Sequence, residues 1–135
     1  MVVFYIPLVE KFDVCCPADH TIEILWEDDL KKEQQQLKYE IAEKEVLLKT
    51  ISHPIRLNTL INLMVRPHCV CELVKKLEIK NSTMSYHLSL LTKNFLIEIE
   101  NRSGRIYNVI TDYGKSVVKW MNSIPKDEHI NLDVK

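Results

Sequence analysis

The chain has 135 residues, with 18 Lys and Arg against 19 Asp and Glu, a formal charge of −1, and this length suits one domain. A hydrophobic share of 46% with 27% charged residues predicts a packed core and excludes a disordered tail. Apolar runs of only a few residues exclude a membrane span, which needs roughly 20, and two glycines, Gly104 and Gly114, cannot supply a phosphate-cradling loop.

The near-neutral total hides a division along the chain. Residues 1–48 carry five Lys and no Arg against eleven acidic residues, a balance of −6, whereas residues 49–119 carry eleven basic against five acidic, a balance of +6. A local positive field attracts phosphate whatever the net charge, because screening limits each charge to about 10 Å. A solvated basic face and a nucleic-acid surface both fit this, and the local elements must decide between them.

The run Val2-Val3-Phe4-Tyr5-Ile6 has no basic flank and soon reaches Pro7 and Glu10, so it does not read as a signal peptide. A cytoplasmic location and no membrane partner are expected. Residues 1–29 have a mixed pattern and contain Cys15-Cys16-Pro17. From Leu30 the apolar positions Leu30, Leu37, Ile41 and Leu48 place one stripe along a helix whose other faces are Glu, Lys and Gln. Ser52 is placed to cap a following helix with Pro54 in its first turn and Ile55, Leu60, Leu63 and Met64 inside. Arg66-Pro67-His68 stops it. A short helix with Leu73, Val74 and Leu77 comes next.

Asn81-Ser82-Thr83 then read as caps, and Met84, Leu88, Leu91 and Phe95 share one face of a second short helix. Its other face offers Ser82, Thr83, Ser85, Tyr86, Ser89 and Lys93, small or hydrogen-bonding groups suited to a major groove. From Leu96 the period becomes two. Ile97 and Ile99 alternate with Glu98 and Glu100, Asn101-Arg102-Ser103-Gly104 turns, and Arg105 to Ile110 returns. A hairpin with Arg102 and Arg105 near its tip, after a helix-turn-helix, makes a winged helix. Thr111 or Asp112 should cap a last helix carrying Val117, Val118, Trp120 and Met121, ending before Pro125.

The expected fold is therefore mainly α with a β-hairpin wing. It comprises an extension over 1–29, a DNA-binding and dimerisation domain over 30–124 and a tail over 125–135. The two flanking apolar helices favour a homodimer. No acid–base pair, nucleophile triad or catalytic metal motif is recognisable, which points away from an enzyme.

Four parts in this order resemble the ArsR/SmtB family of metal-responsive repressors. They are Pro54-x-Arg56-Leu57, Cys69-Val70-Cys71-Glu72-Leu73, Ser82-Thr83-Met84-Ser85-Tyr86-His87-Leu88 and Gly104-Arg105-Ile106-Tyr107. The resemblance runs from Ser52 to Trp120, about half of the chain. It implies a dimer on double-stranded operator DNA, with His87 in the reader helix touching phosphate or supporting the helix internally. The family usually has glycine where Phe95 stands, which implies a differently shaped turn here.

The resemblance also makes Cys69-x-Cys71 the metal-binding pair. Residues two apart in a helix project about 200° apart, so one ion joins both only where the chain is just entering the helix. A helix N-terminus should lower a thiol pKa there. By similarity to CadC-like members, Cys15 and/or Cys16 join Cys69 and Cys71 in a soft site between subunits. Three thiolates suit arsenite or lead, and a fourth ligand would suit zinc or cadmium; His68 is a weaker candidate for that place. A second family site, on the last helix, is expected to be absent, with Asp112 only a cap. The implied function is a repressor released by a thiophilic ion. The alternatives are a thiol redox switch in the same module and a zinc-stapled interaction domain.

Overall fold

Residues 19–129 are described by the computed structural model. Their elements run α1 (His20–Ile51), α2 (Pro54–Val65), α3 (Val70–Leu77), α4 (Asn81–Lys93), β1 (Ile97–Arg102), β2 (Arg105–Ile110) and α5 (Asp112–Asn122). The chain divides into two compact units, 1–46 and 47–135. No helix among the described residues is long and apolar enough to cross a membrane.

In the first unit, α1 begins well before Leu30. Asp19 caps it, its Oδ1 accepting from the backbone N–H of Thr21 at 2.9 Å and of Ile22 at 3.4 Å. Ile22, Trp26 and Leu30 follow at intervals of four, so the stripe that starts at Leu30 extends backwards through a run whose neighbouring apolar residues obscure it. Ion pairs Asp28–Lys32 at 2.7 Å and Glu40–Lys44 staple successive turns. Leu30 and Ile41 remain 41% and 51% exposed, so the stripe is left open.

The second unit holds the core, in which Leu60, Leu73, Met84, Leu91 and Leu96 are fully buried. α2 is capped by His53 rather than Ser52: the His53 Nδ1 accepts from Ile55 N–H at 3.2 Å, and Pro54 takes the first helical position. Arg66 ends it in extended backbone before Pro67. α3 closes on Glu78 in the left-handed region (φ 53°), and α4 starts after Lys80. Asn81, Ser82 and Thr83 form the first turn of α4 instead of capping it; the cap is Lys80, with no side-chain hydrogen bond. The two helices are thus separated by the three-residue turn of a helix-turn-helix.

Phe95 departs from its expected place on the buried face. It is 76% exposed with φ 60°, and Leu96 enters the core instead. Leu96 N–H bonds Leu91 O at 3.0 Å across this left-handed residue, the helix end that glycine usually serves. The turn therefore keeps a glycine-like shape without glycine. Relief of about 1–2 kcal/mol of left-handed strain should outweigh the roughly 0.5–1 kcal/mol of extra unfolded-state freedom of glycine. Phe95→Gly is expected to raise the urea midpoint; a lowered midpoint would show that the aromatic ring contributes more than the strain.

β1 and β2 pair antiparallel from Ile97↔Ile110 to Arg102↔Arg105. Ser103 (φ 53°) and Gly104 (φ 80°) both have positive φ, the two-residue turn that matches strand twist. A further antiparallel bridge joins His68 to Asn108. Thr111 caps α5 by accepting from Gly114 N–H at 2.9 Å. Asp112 is the first helical residue, not the cap.

Candidate functional site

α4 presents its expected polar face. Ser82, Ser85, Tyr86, Ser89 and Lys93 are exposed and Thr83 is half-buried. Ser89 donates to Tyr86 O at 2.7 Å, which occupies its proton and leaves its oxygen as an acceptor. Lys93 has no carboxylate partner among the described residues. Ser85, Ser89 and Lys93 form one wall of a groove of about 510 Å³ whose other wall is Ile99 and Ile106 of the wing. α4 and the wing thus flank one trough.

His87 does not belong to this face. It is buried, and its Nδ1 accepts from Arg56 Nη1 at 3.0 Å while its ring lies 4.4 Å from that of His53. Burial, then the neighbouring charges of His53 and Arg56, pushes its pKa down. Accepting at Nδ1 leaves the proton on Nε2 of a neutral ring. Of its two expected roles, phosphate contact and internal support, the geometry gives it the second.

At the wing tip, Arg102 and Arg105 stand opposite each other. Arg102 bonds Glu100 at 2.9 Å and lies 5.9 Å over the Tyr107 ring, which makes Tyr107 a platform within the wing. Arg105 has no carboxylate partner among the described residues. The exposed Arg102–Glu100 pair is readily exchanged for a phosphate.

The thiol pair lies at the entrance of α3. Cys69 is the N-cap with extended ψ (163°), and Cys71 is the second helical residue. Leaving the helix at Cys69 cancels the divergence that two residues inside a helix would show, so the sulfurs are neighbours. Cys69 is half-buried and Cys71 exposed. The helix N-terminus does not lower the Cys71 pKa as expected. A hydrogen bond to the Cys69 sulfur holds its proton and raises it, outweighing the backbone N–H groups of Glu72 and Cys71. Beside them, the Arg66 guanidinium at 2.8 Å holds the Glu72 carboxyl below its usual range.

His68 is not available as a further ligand. It is fully buried, with Nδ1 at 2.8 Å from Arg66 O and Nε2 at 2.8 Å from Lys76 Nζ. A carbonyl can only accept, so Nδ1 donates and Nε2 accepts from Lys76. Among the described residues no three His, Cys, Asp or Glu side chains converge as a metal site. Cys69 and Cys71 therefore form a soft two-sulfur donor set that suits a thiophilic ion only with further ligands. Cys15 and Cys16 lie outside the described residues.

Arg56 was legible only as part of a motif. Its guanidinium is buried and donates to Thr50 O, to Lys49 O at 3.3 Å and to His87 Nδ1. It thereby covers carbonyls in the last turn of α1.

Residues 53–98 match the model of the bacterial regulatory protein, arsR family. No curated protein matches the chain. Among similar solved structures, the transcriptional regulator HlyU from Vibrio vulnificus CMCP6 is 25% identical with a TM-score of 0.58, covering 70% of this chain and 99% of that one. NolR from Sinorhizobium fredii is 23% identical with a TM-score of 0.60, covering 66% and 90%. The homodimeric winged helix-turn-helix DNA-binding domain of Mb0332 from Mycobacterium bovis, a possible ArsR-family regulator, is 19% identical with a TM-score of 0.58, covering 70% and 87%. With the helix-turn-helix, the hairpin wing and the matched segment in agreement, this protein is a winged helix-turn-helix transcriptional regulator whose residues 53–98 are similar to the bacterial regulatory proteins of the arsR family.

Proposed function

We propose that this regulator is a homodimeric repressor that leaves its operator when Cys69 and Cys71, joined by Cys15 and/or Cys16, hold a thiophilic ion such as cadmium, lead, zinc or arsenite. The observation that carries this reading is the thiol pair at the N-cap of α3, the helix that packs on the reader α4. Ser82, Thr83, Ser85, Tyr86, Ser89 and Lys93 face the major groove, and Arg102 and Arg105 hold flanking phosphate. The open apolar stripe of α1 supports the dimer, which would place two readers on half-sites roughly 34 Å apart.

The chemistry such an ion supplies is bonding to sulfur strong enough to displace thiol protons. Both thiol protons, that of Cys69 and that of Cys71, would go to solvent as the two sulfurs ligate. A coupling of about 1–3 kcal/mol between the thiol site and DNA is typical, equal to roughly 5–150-fold in affinity, and it makes DNA weaken ion binding by the same factor.

Fluorescence anisotropy of the reduced protein on DNA from its own upstream region, titrated with each ion, tests this reading. Release by about tenfold or more, lost in Cys69→Ser and Cys71→Ser, is expected. Tight binding indifferent to every ion would overturn it, and release by an oxidant, reversed by reductant, would then assign the thiols to a redox switch. Absence of specific DNA binding would favour the interaction domain.

A further inference from the structure

Where a change at the thiol pair is felt depends on which parts of the chain around it are free to move. α3 and α4 are locked to each other by Leu73 and Met84, both fully buried, and by Leu88. Cys69 lies at the edge of that lock: its carbonyl accepts from Leu73 N–H at 3.3 Å, but it is half-buried and its side chain makes no capping hydrogen bond. A torsional change there passes first to His68, whose backbone is not part of any helix.

His68 is tied to the wing. Its N–H donates to Asn108 O at 3.2 Å, and its carbonyl accepts from Asn108 N–H at 2.8 Å and from Asn108 Nδ2 at 3.3 Å. Both residues are buried. The His68 ring, held between Arg66 O and Lys76 Nζ, ties the residue before Cys69 to Arg66 and to α3. On the wing, Ile97 and Ile110 are buried at the root; Asn108 comes next, paired with Ile99, which is 64% exposed, and beyond them Ile106 is 58% exposed. Asn108 is thus the last tied position before a free tip, and at about 3.3 Å per residue the arginines lie roughly 10 Å farther out.

The geometry points to the His68–Asn108 clamp as the link by which the thiol pair positions the wing, so that the output of the thiol site is the grip of Arg102 and Arg105 on DNA. This rests on the thiol pair being the effector site. His68 and Asn108 are positioning residues that act through Cys69 and the wing. The clamp is indifferent to whether a thiophilic ion or oxidation changes the Cys69 torsion.

The test uses the full-length reduced protein, cadmium as probe, and the variants Asn108→Ala and Arg102→Gln/Arg105→Gln. DNA affinity is measured over a range of salt, and amide hydrogen exchange over residues 105–109. Each phosphate contact contributes about 0.9 to the slope of log affinity against log salt. Cadmium is expected to reduce that slope in wild type and to speed exchange in the wing about tenfold. Arg102→Gln/Arg105→Gln should show the reduced slope without cadmium and respond to it by less than about twofold. Asn108→Ala should have the reduced slope and the faster wing exchange before any cadmium is added.

Full cadmium release in the double-arginine variant, with wing exchange unchanged in wild type, would overturn the link and place the output in the reader spacing. If cadmium fails to release wild type, the effector reading falls separately. The link is then decided by the metal-free arm, where an Asn108→Ala wing that exchanges like wild type overturns it and a loosened one supports it.

Discussion

Arg56→Ala is expected to lower the unfolding free energy by about 3 kcal/mol, because hydrogen bonds from a charged donor contribute about 1.5–3 kcal/mol and one guanidinium serves three acceptors here. The carbonyls of Lys49 and Thr50 and the His87 Nδ1 would each lose a donor. A small domain has only about 5–15 kcal/mol in total, so the loss is large. Urea unfolding followed by circular dichroism checks it. Arg56→Lys should recover less than half, since one ammonium cannot span acceptors set around a planar fork. A loss below about 1 kcal/mol in Arg56→Ala would mean that water replaces the guanidinium at little cost.

Gly114→Ala is the second large effect, and two opposing terms decide its sign. Alanine is better than glycine in a helix by about 1 kcal/mol. Against this, a Cβ at residue 114 would lie 2.2 Å from Leu96 O and 2.7 Å from Ile110 Cγ1. The carbonyl cannot swing away, since it also accepts from Thr111 N–H and Thr111 Oγ1, each at 3.1 Å. Overpacking usually costs about 1–3 kcal/mol, and a clash with fixed backbone belongs at or above the top of that range. A net loss of about 2 kcal/mol is expected in the same denaturation experiment, whereas unchanged or increased stability would show that α5 shifts freely.

These two substitutions mark different degrees of legibility. The Gly104 turn was readable because a two-residue hairpin demands positive φ next to a change of period. Gly114 carries no such local signal. Its reason lies in the close approach of α5 to Leu96, which no pattern along the helix encodes. Phe95 is intermediate: the usual glycine at that place hinted at an unusual conformation, but the apolar spacing placed its ring on the buried face. The left-handed backbone turned it out and put Leu96 in the core.

The order of helices around the reader, the wing and the last helix were determined by the sequence itself. Their signals are local: apolar spacing, Pro54 and Pro67, and the change of period at Leu96. The exposed face of α4 was legible for the same reason. Local signals misplaced caps by one residue at His53 and Lys80 and left Thr111 and Asp112 as alternatives, of which Thr111 is the cap. Tertiary structure alone decided what the histidines and Arg56 do. His87 meets Arg56 from 31 positions away and His68 meets Asn108 from 40. It also decided that the Cys71 thiol donates to the Cys69 sulfur at the helix entrance. Periodicity tells which face of an element is buried, but a hydrogen-bonding group finds its partner only when separate elements pack, and that pairing is what makes His68 and His87 buried struts.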